Sequence, residues 1–314
     1  MRVFDADVDI SGSTHFLNNS AVRDGGAIEA LNGAILLMLD TRFTGNNAGW
    51  SGGAVFLSGA SMDSSFGVFS LNSADAPGGA IALIDGSECF SSFDSFTNNT
   101  ALNGGGIRVL ESRLFANAAF FRANTASDYG GAVAVTGNDG PATAWVYNSV
   151  SYANTARWGG ATFVNVGPAS AGPTSVVFAN TEITNNNASI ATGQGGLAVG
   201  QNGTPSAQSL LRVVNSLITR NGGGNRNGLD VANNARVALQ NSIVWNNGGP
   251  ERERLRPAGR PLDPARGGVV PGRREHQRRP AAAEPRRGRF HAAHDLAGDR
   301  RRRQHAGAVG RVRH

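Results

Sequence analysis

A pair of adjacent glycines followed by small and aliphatic residues recurs along this chain, and its spacing restricts the fold more than any other sequence feature. The first occurrence is Gly25-Gly26-Ala27-Ile28. The later pairs begin at Gly52, Gly78, Gly104, Gly130, Gly159 and Gly195. Successive pairs are 27, 26, 26, 26, 29 and 36 residues apart. The sequence is therefore a tandem repeat of short units.

A second motif lies between the glycine pairs: an apolar residue followed three positions later by asparagine. In five repeats the apolar residue is a phenylalanine: Phe16, Phe43, Phe69, Phe96 and Phe121. The asparagines in this register are Asn19, Asn46, Asn72, Asn99, Asn124, Asn154, Asn186, Asn221 and Asn247. In stacked repeats such residues form columns, so we expect a phenylalanine stack and a hydrogen-bonded asparagine ladder. A second, partial asparagine column is expected at Asn148, Asn180, Asn215 and Asn241.

Between the motifs, apolar and other residues alternate, as in Ile28 and Ala30 on either side of Glu29, which is typical of β-strands. Gly, Asn, Ser and Asp separate these strands and favour turns. The unit is shorter than a propeller blade and lacks the consensus of leucine-rich repeats. We therefore predict an all-β chain, a single-stranded right-handed parallel β-helix (solenoid) of about nine coils over residues 1–249.

After each glycine pair, the second and fourth positions should face the core and the third position should face outward. The predicted outward column is Glu29, Phe56, Ala82, Arg108, Ala134, Phe163, Val199 and Val231. Later coils carry insertions after this strand, at residues 137–144, 167–174 and 200–207, which should project from one corner. They are either binding loops or tolerated surface drift.

The end of the chain differs sharply in composition. Residues 1–250 contain 11 Arg against 16 acidic residues, whereas residues 251–314 contain 18 Arg, seven acidic residues and no asparagine. We predict that residues 250–314 form a disordered Arg/Pro/Ala-rich tail. Three interpretations stay open: a polyanion-binding tail, a neutral linker, or out-of-frame translation of a GC-rich gene. Phe290 is the only aromatic residue of the tail, so we expect no specific nucleic-acid partner.

Other features exclude some protein classes. The single cysteine, Cys89, cannot form an intrachain disulfide. The longest apolar run, residues 34–39, is six residues long, far short of the roughly 20 that a membrane helix needs, so we predict no transmembrane segment. The first 25 residues contain no apolar stretch of the kind that a secretory signal peptide has.

The alternation of Phe-Leu-Asn-Asn-Ser-Ala at residues 16–21 with Gly-Gly-Ala-Ile at residues 25–28 resembles the repeats of the polymorphic outer-membrane proteins, which are autotransporter adhesins. Residues 241–247 are also similar to the endings of bacterial β-helix surface proteins. The resemblance covers about residues 10–249. It implies a non-enzymatic, extracellular or cell-surface protein associated with the outer membrane, whose partner is a host surface, a matrix surface or a glycan. The missing signal peptide departs from the family pattern.

The same fold also occurs in polysaccharide lyases and hydrolases, so a pectate-lyase-like carbohydrate-active enzyme is the alternative function. Such enzymes need carboxylates, or Arg or Lys with calcium, on neighbouring coils. The predicted outward column has no adjacent acids, so we expect no catalytic residues and no cofactor. Asp5, Asp7 and Asp9 alternate with apolar residues; they are either a weak calcium site or the solvated face of an edge strand.

Three further expectations concern single residues and the ends of the helix. His15 and Arg42 should be neighbours on adjacent coils, as a surface pair rather than an acid/base pair. Cys89 should be a small packed residue. The ends of a β-helix expose unpaired strand edges, so we expect self-association through them.

Overall fold

The computed structural model describes residues 1–167, 170, 172–190, 193–200, 208–223, 228–232 and 235–248 of the chain. The chain divides into a unit Met1–Arg254, which contains all of these residues, and a unit Leu255–His314. The predicted tail of residues 250–314 lies outside the described residues, so its three interpretations stay predictions.

Four sheets run through the described part of the chain, and we number them in the order in which a coil enters them. Sheet 1 follows the glycine pairs. Its strands are Arg2–Phe4, Ile28–Leu31, Val55–Ser58, Ile81–Ile84, Ile107–Leu110, Val133–Gly137, Thr162–Val166, Leu197–Val199 and Leu229–Val231. The strands of sheet 2 are Asp7–Ile10, Ile35–Leu39, Ser61–Ser65, Glu88–Ser92, Arg113–Asn117, Ala142–Tyr147, Thr174–Ala179, Ser209–Val214 and Ala235–Gln240.

Sheet 3 contains the phenylalanine column, and sheet 4 follows the asparagine column. The strands of sheet 3 are His15–Leu17, Arg42–Thr44, Val68–Ser70, Ser95–Thr97, Phe120–Arg122, Val150–Tyr152, Glu182–Thr184, Leu217–Thr219 and Ile243–Trp245. The strands of sheet 4 are Ser20–Ala21, Asn47–Ala48, Ser73–Ala74, Thr100–Asn103, Thr125–Tyr129, Thr155–Ala156 and Asn187–Ala188.

Neighbouring strands in each sheet come from successive coils and are parallel. Ile81, for example, lies opposite Val55 of the preceding coil and Ile107 of the following coil. Sheets 1, 2 and 3 each contain nine strands, which confirms the predicted parallel β-helix and its approximate coil count. The described residues contain no helix, and hence none with the length and apolarity to cross a membrane.

The glycine pairs are required by the turn into sheet 1. The first glycine of a pair has a left-handed backbone, with φ of +81° at Gly78, which glycine adopts without steric cost. The second glycine lies against the next coil, and a Cβ on Gly79 would clash with the carbonyl oxygen of Gly105. The pair therefore recurs because each coil repeats one sharp turn and one close backbone contact.

The interior is organised in columns of like residues. The rings of Phe16, Phe43, Phe69, Phe96 and Phe121 stack with centroid separations of 4.8 to 5.0 Å and interplanar angles of 3° to 10°. The last four of these side chains are fully buried. Offset or parallel ring contacts of this kind add to the hydrophobic stabilisation of a core. The predicted phenylalanine stack is thus present.

The nine predicted asparagines form a continuous ladder between sheets 3 and 4. Asn99 is typical: its Nδ2 donates to Oδ1 of Asn124 at 2.9 Å and to the carbonyl oxygen of Phe69 at 3.0 Å. Its Oδ1 accepts from the backbone N–H and from Nδ2 of Asn72, both at 3.0 Å. Each amide therefore satisfies polar groups of two other coils in a buried turn.

The second asparagine column occupies the corner between sheets 2 and 3. Asn148, Asn180, Asn215 and Asn241 all have left-handed backbones, with φ of 47° to 52°, which asparagine tolerates better than most residues. Asn180 donates to Oδ1 of Asn148 at 3.1 Å, so part of this column is also hydrogen-bonded.

The first two insertions lie at the corner between sheets 1 and 2, as predicted. Residues 138–141 follow the strand Val133–Gly137, and residues 167–173 follow the strand Thr162–Val166. Ser170 Oγ donates to the carbonyl oxygen of Gly140 at 3.2 Å, so the two insertions contact each other. Residues 201–207 of the third insertion lie outside the described residues.

Candidate binding groove on the outer face of sheet 1

Two members of the predicted outward column were wrong. Strand pairing places Ala198 opposite Phe163, and Asp230 opposite Ala198, in the positions that we assigned to Val199 and Val231. The cause is the seventh glycine pair. The N–H of Gly160 donates to the carbonyl oxygen of Gln194 at 3.0 Å, and a Cβ on Gly195 would clash with Gly222.

In that coil, therefore, Gln194 and Gly195 occupy the positions of the pair, and Gly196 occupies the position of the small residue that follows it. The carbonyl oxygen of Gly196 accepts the N–H of Ala161 at 3.0 Å. The repeat thus shifts by one residue relative to the sequence motif, and every outward assignment after it shifts too.

The outward column is also far more buried than a solvent-facing column would be. Phe56 is 7% exposed, Phe163 is 3% exposed, and Ala82 and Ala134 are fully buried. Residues that precede the glycine pairs lie over part of this face; for example, the ring centroid of Tyr129, the last residue of a sheet 4 strand, lies 4.3 Å from that of Phe163. The alternating pattern correctly predicted that these side chains point away from the interior. It did not predict that other residues bury them.

In the first coils, a groove of about 720 Å³ lies on the outer face of sheet 1. Phe56, Ala82 and Arg108 of sheet 1 line the base of the groove. Trp50 and Pro77, which lie just before two of the glycine pairs, line its side. This volume falls within the range of roughly 300–1,000 Å³ that is usual for small-molecule sites. Flat aromatic surface beside polar groups gives the groove the chemistry of a binding site.

The guanidinium of Arg108 is the unusual group in this groove. Arg108 is 9% exposed, and its Nη1 donates to Oγ1 of Thr136 at 2.9 Å. Its Nε is buried and has no hydrogen-bond partner among the described residues. Burial lowers the pKa of Arg108 to about 10, and the charge of Glu111 acts in the opposite direction. The group is still a cation at neutral pH.

Glu111 does not form an ion pair with Arg108 in the described part of the chain. Its Oε1 accepts the backbone N–H groups of Asn138 and Asp139, at 3.2 and 2.8 Å, and so holds the first insertion. Among the described residues, no carboxylate lies within 4.0 Å of the Arg108 guanidinium, whereas the other two arginines that line the groove each have one.

Those two pairs lie at the other end of the groove. Arg2 Nε is 3.2 Å from Oε2 of Glu29, and Arg23 Nε is 3.9 Å from Oδ2 of Asp24. The guanidinium of Arg23 also lies 5.1 Å from the centre of the Trp50 ring, in a cation–π contact. The groove lining thus combines two satisfied ion pairs with one buried cation.

Sheet 2 carries a second notable surface, which we call the aromatic stripe: Phe90, Phe115 and Trp145. The stripe faces outward, with ring centroids 4.8 Å apart for the first pair and 4.3 Å for the second. Phe90 is 41% exposed, and Leu37 of the same register is 47% exposed. This stripe was not predicted from the sequence, although residues 90, 115 and 145 share one register.

The weak calcium candidate is not assembled as we expected. Asp7 and Asp9 are on the strand Asp7–Ile10, but Asp5 lies in the preceding turn with φ of 47°. The three carboxylates therefore do not share one strand face. In the described ranges, no three His, Cys, Asp or Glu side chains lie close enough together to hold a metal ion.

The remaining single-residue expectations agree with the structure. His15 pairs with Arg42 on the next coil, and both are exposed. Cys89 is fully buried, and burial raises the pKa of its thiol well above its usual value. None of these three residues lines the groove.

A buried carboxyl group that we did not predict lies in the interior. Asp94 is 1% exposed and accepts hydrogen bonds from the Gly67 N–H at 2.6 Å and from Ser91 Oγ at 2.8 Å. Burial raises its pKa to about 7 in spite of these bonds. In this turn, Asp94 occupies the position that small or hydroxyl residues have in other coils, such as Thr41 and Ser149. Asp94 is therefore part of the packed interior and not of a candidate site.

Comparisons of this chain with family models, with curated proteins and with solved structures found no match. The fold, the groove and the exposed aromatic surface are therefore the observations from which a function has to be argued.

Proposed function

We propose that this chain is a non-enzymatic binding scaffold of an exported or cell-surface protein, with an adhesin-like role. The aromatic stripe is the observation that carries this proposal. Contiguous exposed apolar groups on a soluble surface mark contacts with other molecules. On the outer face of sheet 2, the exposed Phe90 and the half-buried Phe115 and Trp145 form one stacked row.

The distribution of acids also supports binding over catalysis. In the corrected outward column of sheet 1, the acids are Glu29 and Asp230, at opposite ends of the helix. Glycosidases of the usual kind require two carboxyl groups roughly 5–10 Å apart. Residues seven coils apart, at about 4.8 Å per coil, are much farther apart than that.

The family and the location are part of the same proposal. The repeats at residues 16–21 and 25–28 resemble those of the polymorphic outer-membrane proteins, and the parallel β-helix is compatible with that resemblance. We therefore propose an extracellular or outer-membrane-associated location. The partner is a host surface, a matrix surface or a glycan.

A carbohydrate-active enzyme of the pectate-lyase-like type is the second candidate, and the groove favours it. The groove contains Glu29, Asp24 and Arg108, and residues of these types serve as acids, bases or charge stabilisers in other enzymes. The expected result under our proposal is binding without turnover.

The test measures both. The full chain is applied to surfaces coated with matrix proteins or glycans, and soluble polyuronates and neutral glycans are assayed for cleavage with and without calcium. We expect retention without cleavage, and a loss of about tenfold in retention for Phe90→Ser. Phe93→Ser is the matched control, because Phe93 is also exposed, at 56% against 41% for Phe90, but lies outside the stripe. Cleavage that disappears in Glu29→Gln would establish the enzyme instead.

A further inference from the structure

We infer that the groove of sheet 1 binds an acidic saccharide, with Arg108 pairing with its carboxylate or sulfate group. This inference rests on the proposed function, because it names a ligand class for the same scaffold. It assigns the contact to a site different from the aromatic stripe, which is on another sheet.

The first argument is the energetics of Arg108. Taking a guanidinium out of water without a counter-charge is costly, and proteins normally pair such groups. Among the described residues, Arg108 has one hydrogen bond, to the neutral hydroxyl of Thr136, and no carboxylate within 4.0 Å. An anion bound from the groove would supply the missing partner. Arginine also presents a planar fork that matches carboxylate and sulfate oxygens.

The second argument is charge. The groove lining contains three arginines and two acids, Asp24 and Glu29, so its formal charge is +1. Arg2 and Arg23 are paired with those acids, which leaves Arg108 as the arginine of the lining without an ion pair among the described residues. A single negative group per binding site fits this balance. A carboxylate or a sulfate ester carries one charge at neutral pH.

The third argument is the shape and surface of the groove. Trp50, which is 58% exposed, gives it flat apolar surface beside the largely buried Phe56. The C–H groups of a sugar ring can pack against such surface, while the ion pairs at the far end offer donors and acceptors to hydroxyl groups. A small inorganic anion would use the charge alone. The combination therefore favours an anionic sugar.

The experiment uses the full chain and three probes: a tetrasaccharide that contains glucuronic acid, its carboxyl-reduced counterpart, and inorganic sulfate. Calorimetric titration should give about tenfold tighter binding of the acidic tetrasaccharide than of the reduced one. Arg108→Gln should abolish this preference. Arg122→Gln, an exposed arginine on sheet 3, should change the affinity less than about twofold.

Two further measurements keep the inference testable. Thermal unfolding checks that Arg108→Gln is folded, and Trp50→Ala, at an exposed position, should weaken binding of both tetrasaccharides. Equal affinity of the original chain for the acidic and reduced sugars would overturn the inference, as would unchanged acid preference in Arg108→Gln. Sulfate binding without saccharide binding would also overturn it.

The proposed function is tested separately, by measuring whether the saccharide has been cleaved after incubation. Cleaved saccharide contradicts the non-enzymatic scaffold but leaves the Arg108 site in place. Absence of Arg108-dependent binding, together with retention on coated surfaces, contradicts the site but leaves the scaffold.

Discussion

The interior of this β-helix and the outer face of its first sheet differ in how the residue type changes from coil to coil. Inside, one residue type is repeated from coil to coil, as in the phenylalanine stack and the asparagine ladder, because each side chain contacts its own kind above and below. On the outer face, the column that contains Phe56, Ala82 and Arg108 changes at every coil. Residues that repeat from coil to coil therefore indicate the fold. Residues that do not repeat indicate the surface that can be specific for one ligand.

The largest effect that would test this contrast is a cavity in the stack. Phe69→Ala removes a fully buried ring that lies 4.9 Å from each stacked neighbour, and it should lower the free energy of unfolding by about 3–5 kcal/mol. Phe66→Ala, three residues earlier and 54% exposed, should cost less than about 1 kcal/mol. Urea titration of both variants measures the difference. Similar losses would mean that the interior column has no special role.

A smaller effect is expected in the ladder. Asn99→Ala removes four hydrogen bonds and leaves the carbonyl oxygen of Phe69 and the N–H of Asn72 without partners, so we expect a loss of about 2–4 kcal/mol.

The control for this variant is Asn47→Ala, because Asn47 is exposed and donates only to Ser73 Oγ, at 2.9 Å. Asn103 is unsuitable, since it is half-buried and its Oδ1 is a buried atom without a partner among the described residues. A loss at Asn47 equal to that at Asn99 would contradict the ladder as a source of stability.

Repetition also explains which features could be predicted from the sequence. The ladder from Asn19 to Asn247 and the phenylalanine stack were predictable because each column needs one residue type at one spacing. The outward assignments Val199 and Val231 were wrong because Gln194 replaces the first glycine of its pair, and the motif no longer marks the turn. A single substitution in a motif is enough to displace the register by one residue.

The groove was not predictable for a related reason. Its base comes from sheet 1, but its side comes from Trp50 and Pro77, which do not recur at equivalent positions in other coils. Arg108 was already placed in the outward column by its spacing. The sequence carried no signal that the covering segment would bury it without a carboxylate, because that depends on packing between residues that are distant in the repeat.

An effect that appears only as the pH changes concerns Asp94, a departure from repetition inside the core rather than on the surface. Its pKa is raised to about 7, chiefly by burial, whereas an unfolded aspartate has a pKa of about 3.9. Between these two values the unfolded chain binds fewer protons than the folded chain at this residue. The free energy of unfolding should therefore fall as the pH rises from about 4 to about 7, and the destabilisation should be complete above about pH 7.

We expect this fall to be about 4 kcal/mol, because one pKa unit is worth about 1.4 kcal/mol, and to be absent in Asp94→Asn, which keeps the shape of the side chain without its charge. Asp85→Asn, at an exposed corner, should retain the pH dependence of the original chain. Urea titrations at about pH 4, 6 and 8 give the comparison, and the difference between each variant and the original chain cancels the contributions of the other carboxylates. If Asp94→Asn and the original chain lose stability in parallel, Asp94 is not held protonated by the core, and the interior tolerates a charge as readily as the outer face does.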